Sequence, residues 1–574
     1  MRKLFYYLKP YSARMLVGFM IKVFGTFLDL GLPWVLAYII DDVIPLKKVS
    51  LILIWGAIMI VLSVGARTFN ITANRMAARV ARDTTKSLRH DLFEKILNLS
   101  GKQIDFFTIP SLEARMTSDT YNVHNMIGMM QRIGVRAPII LVGGIVITST
   151  LEPVLTLVLI GILPLLFLVV YLVSKKGIPL YTVLQQAVDR MVRIVRENIS
   201  GIRVIKALSK SEYEKTRFYK MNAELVEKEL KAGTTMAVTN PIMNLLLNLG
   251  LTLVVVIGAY RVNGGDSEPG KIVAFLSYFA IMLQAVMAIT RIFVVFSKAG
   301  ASAGRIEEVL NTQEDLRVEA EEPEGKGYSE EYGEEAFIEF NHVSFSYTKE
   351  PCIIDVDLKI KKGGSLGIIG STGSGKTTLI NLLMRFYDVS EGSIRIAGRD
   401  IRSYDKQELH KSFGVVFQND FLFADRIYEN ISIGRKVPED QAGKATEHAQ
   451  AAAFVRELQD GLDFRLAIKG SNLSGGQKQR LLIARALAGK PKILILDDAS
   501  SALDFKTDSM LRRAIRENYS EVTTLVIAQR ISSVMKLDHI LVMEDGQMAG
   551  YGTHEELLGS CEVYQEIYQS QMMS

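Results

Sequence analysis

Two adjacent carboxylates, Asp497 and Asp498, end an apolar run in "KILILDDASSALD", Lys492 to Asp504. Such a run reads as a buried strand that delivers acids to a site. The first acid suits a divalent cation held beside a phosphate. The second stands where a base that orients water belongs. A matching partner lies upstream. "GIIGSTGSGKTTLI" contains G-x-x-x-x-G-K-[ST] from Gly370 to Thr377, preceded by the β-like run "SLGIIG" and followed by a helical run, the context that pattern requires. Its residues Gly370, Ser371, Thr372, Gly373, Ser374, Gly375, Lys376, Thr377 and Thr378 are the candidate phosphate cradle. Glycines there let backbone N–H groups converge on phosphate at the positive end of a helix. Lys376 is expected on the β- and γ-phosphates, and Thr377 and Asp497 on Mg²⁺. ATP and Mg²⁺ are therefore the expected cofactors.

A third motif discriminates among phosphate-binding folds. "NLSGGQKQR", Asn472 to Arg480, places a Ser-Gly-Gly turn at a helix start just ahead of Asp497. That is a second phosphate cradle. It lies so close in sequence to the catalytic strand that it is hard to aim at the same ATP, and it makes sense facing the nucleotide of another subunit.

At this point the chain resembles the ATP-binding cassette (ABC) family, specifically exporter half-transporters with six spans followed by one cassette. The resemblance covers nearly the whole chain, and the LSGGQ signature, Leu473 to Gln477, is highly specific to it. It implies that Tyr347 stacks on adenine and that Gln418 contacts Mg²⁺ and the attacking water. It also implies that Asp504, ending "SALD", lies in a loop crossing between cassettes, and that Ser474, Gly475, Gly476 and Gln477 close over the partner's nucleotide. Two departures matter. The family's usual glutamate after the metal aspartate is Asp498 here, and its switch histidine is Gln529, in "LVIAQRISS". Losing one methylene retracts the carboxylate by ~1.3–1.5 Å. With Gln418, Asp498 and Gln529 are the candidate catalytic residues, in a site expected to bind ATP and hydrolyse it poorly. The pattern is similar to one subunit of heterodimeric bacterial multidrug exporters. The expected partner is then a second half-transporter, a different polypeptide with Glu and His at those positions. The other reading is a lipid flippase or peptide exporter acting as a slow homodimer. Two smaller departures are Ile468 where the family often has a glutamate, and a short first cytosolic contact region, "FFTIPSLEARMTSD".

The elements that must position these residues fall into two halves. The length of 574 residues requires at least two domains. Hydrophobic residues make up 48%, concentrated in the first half. "PVLTLVLIGILPLLFLVVYLV", Pro153 to Val173, is uncharged and long enough to cross a bilayer. Spans are expected at about 15–40, 51–72, 129–150, 153–174, 236–260 and 272–298, within an all-α domain of residues 1–310. An acidic linker, 311–335, and an α/β P-loop cassette, 336–574, follow. Long basic segments after spans two and four argue for both termini in the cytosol, and the resemblance implies the cytoplasmic membrane of a bacterium. Their helical periodicity argues that those spans continue past the membrane. Lys22 and Asp29 inside the first span are candidates to line a pathway, whereas Asn244, Asn248 and Gln284 read as contacts between helices. The resemblance implies amphipathic small molecules as substrate, with lipid as surroundings. A net charge of only +5 argues against nucleic acid. Cys352 and Cys561 are too few for a disulfide framework.

Overall fold

Apolar runs too long for a soluble core become helices of unusual length. The computed structural model describes residues 2–318 and 336–572. The expected acidic linker lies mostly outside the described residues. The chain divides into two units: residues 1–97 with 109–312, and residues 98–108 with 313–574.

In the first unit, helices α1 (Ser12–Tyr38) and α2 (Val49–Leu97) pair lengthwise. Among the described residues, six segments are long and apolar enough to cross a membrane, beginning at Lys3, Val49, Ile109, Pro153, Ser211 and Pro269. The helix that carries the second span runs unbroken through Leu97, and the one that carries the fourth runs from Pro153 to Ser200. Each is about twice the ~20 residues a bilayer needs, so both continue as helix beyond it. Large apolar side chains such as Leu53, Ile60 and Val61 are exposed along α2, as expected of a lipid-facing surface. The unit's interior holds Leu30, Ile140, Leu159, Tyr278, Phe279 and Met282. The Tyr278 hydroxyl donates to the Leu30 carbonyl at 2.6 Å, satisfying its one polar atom. A Cβ at Gly144 would lie 2.8 Å from the Met282 sulfur, so glycine permits that approach.

The second unit is built on two sheets. The strands are β1 (Ile338–Phe345), β2 (Ile353–Ile360), β3 (Ser365–Gly370), β4 (Glu391–Ile396), β5 (Arg399–Asp400), β6 (Phe413–Val416), β7 (Ile493–Asp497), β8 (Thr523–Ile527), β9 (His539–Glu544) and β10 (Gln547–Gly552). An antiparallel sheet runs β2-β1-β4-β5, and the larger sheet runs β10-β9-β3-β8-β7-β6. Strands β9 to β6 of the larger sheet are parallel, with Val416 opposite Leu496 and Asp497 opposite Ile527. All of β7 is buried, which explains why "KILILD" reads as a continuous apolar run.

Residues 98–108 group with the second unit. They fall inside the stretch assigned from sequence to the membrane domain, yet they pack with the cassette. Within them, helix α3 (Gly101–Phe107) starts with a capping box from Ser100 and Gln103. The segment "GKQIDFF" forms this helix and packs with the cassette. Most of "FFTIPSLEARMTSD", from Ile109 on, belongs to the first unit. The signal for α3 was a Ser-x-x-Gln cap just after a break in helical periodicity.

Helix α3 seats on Tyr387. The Gly101 amide donates to the Phe386 carbonyl at 3.2 Å, and the Tyr387 hydroxyl donates to Asp105 at 2.6 Å. A Cβ at Gly101 would meet the Tyr387 ring at 2.7 Å. Tyr387 cannot easily give way, because Asp105 holds its hydroxyl and Tyr347 stands edge-on to its ring at 5.1 Å. Gly101→Ala is expected to cost about 1–3 kcal/mol. A melting curve of the purified transporter checks this, and an unchanged midpoint would show that the seat is loose.

Candidate functional site

The parallel sheet places the catalytic candidates along one edge. β3, β8, β7 and β6 are neighbours running the same way. Their carboxyl ends deliver, in order, the phosphate loop, Gln529, the Asp497–Asp498 pair and Gln418. This is the edge where open α/β sheets bind ligands. Gln418 and Gln529 are exposed in the segments after β6 and β8, free to face a ligand.

The phosphate loop has the backbone its glycines predicted. Gly370, Gly373 and Gly375 have φ of 155°, 89° and 94°. At Gly370 a Cβ would lie 2.1 Å from the Met543 carbonyl, so no side chain fits. The loop feeds helix α4 (Lys376–Leu383), whose N–H groups point back into it. The Lys376 ammonium lies across the loop, donating to the carbonyls of Gly370 at 3.0 Å and Ser371 at 2.6 Å. Burial pushes its pKa below the ordinary lysine value, against the pull of Asp497.

The Thr377 hydroxyl donates to Asp497 at 3.0 Å. Burial pushes the Asp497 carboxyl above the usual carboxylate range; the Thr377 hydrogen bond and Lys376 oppose this, while Asp498 adds to it. A buried acid beside a hydroxyl, with a second acid following, is a hard-oxygen donor set that fits Mg²⁺. Bound there with ATP, that cation would neutralise charge on the terminal phosphates. The chain's own residues would do the positioning: Thr377 and Asp497 would offer oxygens, the loop amides would hold phosphate, and Lys376 would supply a positive charge.

Asp498 adopts φ of 51°, a left-handed conformation in which Asp is tolerated better than most residues. Its amide donates to the Ile527 carbonyl at 3.0 Å, which joins it to the end of β8 just before Gln529. Its pKa is also raised by burial, opposed by the charge of Arg530 and a hydrogen bond from Ser501.

The aromatic candidate, Tyr347, is half-exposed and donates to Thr378 at 3.3 Å. It stands next to the α3 seat through Tyr387. Asp504 caps helix α6 (Phe505–Asn518), accepting from the Thr507 amide and hydroxyl at 2.9 and 2.7 Å. These bonds pull its carboxyl below the usual range. Ile468, at the glutamate position, is an exposed apolar side chain.

Ser474 caps helix α5 (Gly475–Ala488) in a reciprocal box with Gln477. A Cβ at Gly476 would lie 3.1 Å from the Ala502 carbonyl, so the turn lies close against "SALD". Sequence reasoning missed Gln479. Its side chain accepts from the Ala502 amide at 2.9 Å and donates to Ser501 at 3.0 Å. It ties the helix of the signature to the loop after Asp498. The signal was present, since Gln479 lies inside "NLSGGQKQR", two residues past the end of the LSGGQ signature. Ser474→Ala removes the cap at a cost of about 1 kcal/mol. Gln479→Ala is expected to lower ATP turnover while leaving nucleotide affinity unchanged; equilibrium binding of a fluorescent ATP analogue beside a turnover assay separates the two.

A cavity of about 1020 Å³ in the cassette is bordered by Leu496, Asp508, Arg512, Arg516, Tyr519 and Met572. No phosphate-loop residue lines it.

A helical domain with six candidate spans, fused to a P-loop cassette with a signature turn, defines an ATP-driven membrane transporter. Residues 15–286 match the ABC transporter transmembrane region, and residues 353–501 match the ABC transporter family. The ABC transporter ATP-binding protein YfiB of Bacillus subtilis (strain 168) is 36% identical over 577 residues, covering 100% of this chain and 98% of that protein. The fatty acid ABC transporter ATP-binding/permease protein of Mycobacterium tuberculosis (strain CDC 1551 / Oshkosh) is 32% identical, over 88% of this chain and 77% of that protein. A solved bacterial Atm1-family ABC exporter with ATP bound superposes with a TM-score of 0.81, at 23% identity and 98% coverage of both chains. The chain belongs to the ABC transporter family. It is a multi-pass membrane protein whose cassette binds ATP and whose ATPase is coupled to transport, acting with a second half-transporter.

Proposed function

We propose that this chain is one half of a heterodimeric ABC exporter of amphipathic small molecules, and that its own nucleotide site is degenerate. The observation that carries this is the pairing of Asp498 with Gln529. The Asp498 amide bonds the last residue of β8, and Gln529 follows two residues on. Both departures thus fall just past the ends of adjoining strands at one edge, while the phosphate loop, Asp497 and the signature turn are complete. Such a site holds ATP and turns it over slowly. The binding energy biases the transporter toward its closed state without being released in each cycle. The other composite site uses this chain's Ser474, Gly475, Gly476 and Gln477 with the partner's hydrolytic residues. Mg²⁺ is held by Thr377 and Asp497, with Gln418 completing the site. Tyr347 stacks on adenine, and both termini lie in the cytosol. The curated relative named for fatty acids supports an amphipathic substrate.

The test is ATP turnover of the purified complex with its copurified partner identified. Asp498→Ala is expected to leave more than half of turnover, and removal of the partner's equivalent base to abolish it. A homodimer silenced by Asp498→Ala would overturn this reading.

A further inference from the structure

Charged residues inside a membrane domain need a reason, and three helical segments of the first unit bring theirs to one place. Lys22 and Asp29 lie two turns apart on α1, with Gly25 and Thr26 between them. Asn70 and Asn74 lie one turn apart on α2. Arg132 and Arg136 lie four residues apart at the start of the third span, where the helix is locally widened at Met130–Gly134. The elements approach closely because a Cβ at Gly25 would already sit 3.0 Å from the Phe69 Cβ. Asp29 accepts from Arg136 at 3.0 Å and from Asn70 at 3.1 Å.

The charges in this cluster do not balance. Asp29 is one carboxylate against three cations. The Lys22 side chain, on a residue only 3% exposed, donates to the neutral Asn74 amide oxygen at 3.0 Å. Arg132 donates to the Gly128 carbonyl at 3.0 Å. Arg136 has a buried Nε without an acceptor, although its side chain is 42% exposed. Uncompensated cations at membrane depth mark a pathway or a ligand rather than a structural pair, and guanidinium with ammonium is the donor set that recognises carboxylate and phosphate.

We propose that Lys22, Arg132 and Arg136 form the head-group site for an anionic amphiphile, a lipid-like molecule ending in carboxylate or phosphate. Arg136 is the reachable donor, Lys22 the buried charge behind it, and Asp29 the internal anion that the head group displaces from Arg136. This rests on the reading of the chain as a transporter of amphipathic molecules and narrows its substrate class.

The test is displaceable binding of radiolabelled stearate to the full-length transporter with its copurified partner, in a neutral detergent. Octadecyl phosphate, stearyl alcohol and stearylamine serve as competitors. Stearate or octadecyl phosphate should compete at least about tenfold better than the alcohol or the amine, the scale of one charge-assisted hydrogen bond. Which of the two anions competes better tells carboxylate from phosphate. Arg136→Gln should weaken anion binding about tenfold and leave the alcohol unchanged. Asp29→Asn should tighten anion binding, because it removes the competing carboxylate. If Arg136→Gln fails to fold, the direction of the Asp29→Asn change decides. Equal competition by acid and alcohol, or an Asp29→Asn variant that binds the anions more weakly, would overturn the head-group site. ATP turnover of the same preparation separates the two levels: turnover without charge preference removes only this site, and no turnover removes the transport reading itself.

Discussion

Asp498→Glu combined with Gln529→His should raise hydrolysis at this chain's own site by about ten- to a hundredfold, measured with the partner's site inactivated. The estimate follows from reach: a displacement of about 1 Å in a catalytic group costs about a hundredfold in rate, and the extra methylene restores that distance. Gln529 lies just past β8, whose last residue accepts the Asp498 amide, so the two changes act on the same small volume. Glutamine there can hydrogen-bond, but it cannot become cationic as histidine can. Asp498 has φ of 51°, a conformation that Asp tolerates better than Glu. Asp498→Glu alone should therefore lower the melting temperature slightly while raising turnover. An unchanged rate in the double variant would mean that the site is limited by something other than these two residues, and the degenerate-site reading would lose its basis.

The residue types in the cassette made its chemistry legible before any coordinates. A glycine-rich turn between a strand and a helix has few uses, and φ of 89° and 94° at Gly373 and Gly375 is why those glycines are there. The order of β3, β8, β7 and β6 was not legible. Parallel strands distant in sequence carry no local mark of adjacency; the family resemblance put Gln529 and Asp498 in one site, and the fold shows the adjoining strands β7 and β8 that carry them there. The same limit hid α3. Its seven residues look like a continuation of a long amphipathic helix, and what separates them is a Ser100 cap together with a glycine that must lie flat against Tyr387. In the membrane domain, sequence singled out Lys22 and Asp29 as polar within apolar runs. It could not show that Arg136 bonds Asp29, because the two lie 107 residues apart.

Asp497→Asn should stabilise the nucleotide-free transporter yet abolish the stability it gains from Mg-ATP, a reversal readable in one set of melting curves. Asp497 and Asp498 follow each other at the end of a fully buried strand, and burial holds both carboxyls above the usual range, with Asp498 adding to the effect on Asp497. A carboxyl whose folded pKa exceeds its unfolded value contributes stability that is fully present below about pH 4 and lost as pH rises through the folded value. At neutral pH the ionised pair therefore opposes folding, and Asp497→Asn relieves part of that opposition while keeping the shape and an acceptor for the Thr377 hydroxyl. The fall in stability between acid and neutral pH should be shallower in the variant. Ligand binding reverses the balance: a cation at Thr377 and Asp497 favours the ionised form, so Mg-ATP should raise the wild-type melting temperature and leave the variant nearly unmoved. A variant less stable than wild type without nucleotide would show that the Asp497 carboxylate braces the phosphate loop through Thr377. Retained Mg-ATP stabilisation would remove Asp497 from the metal site.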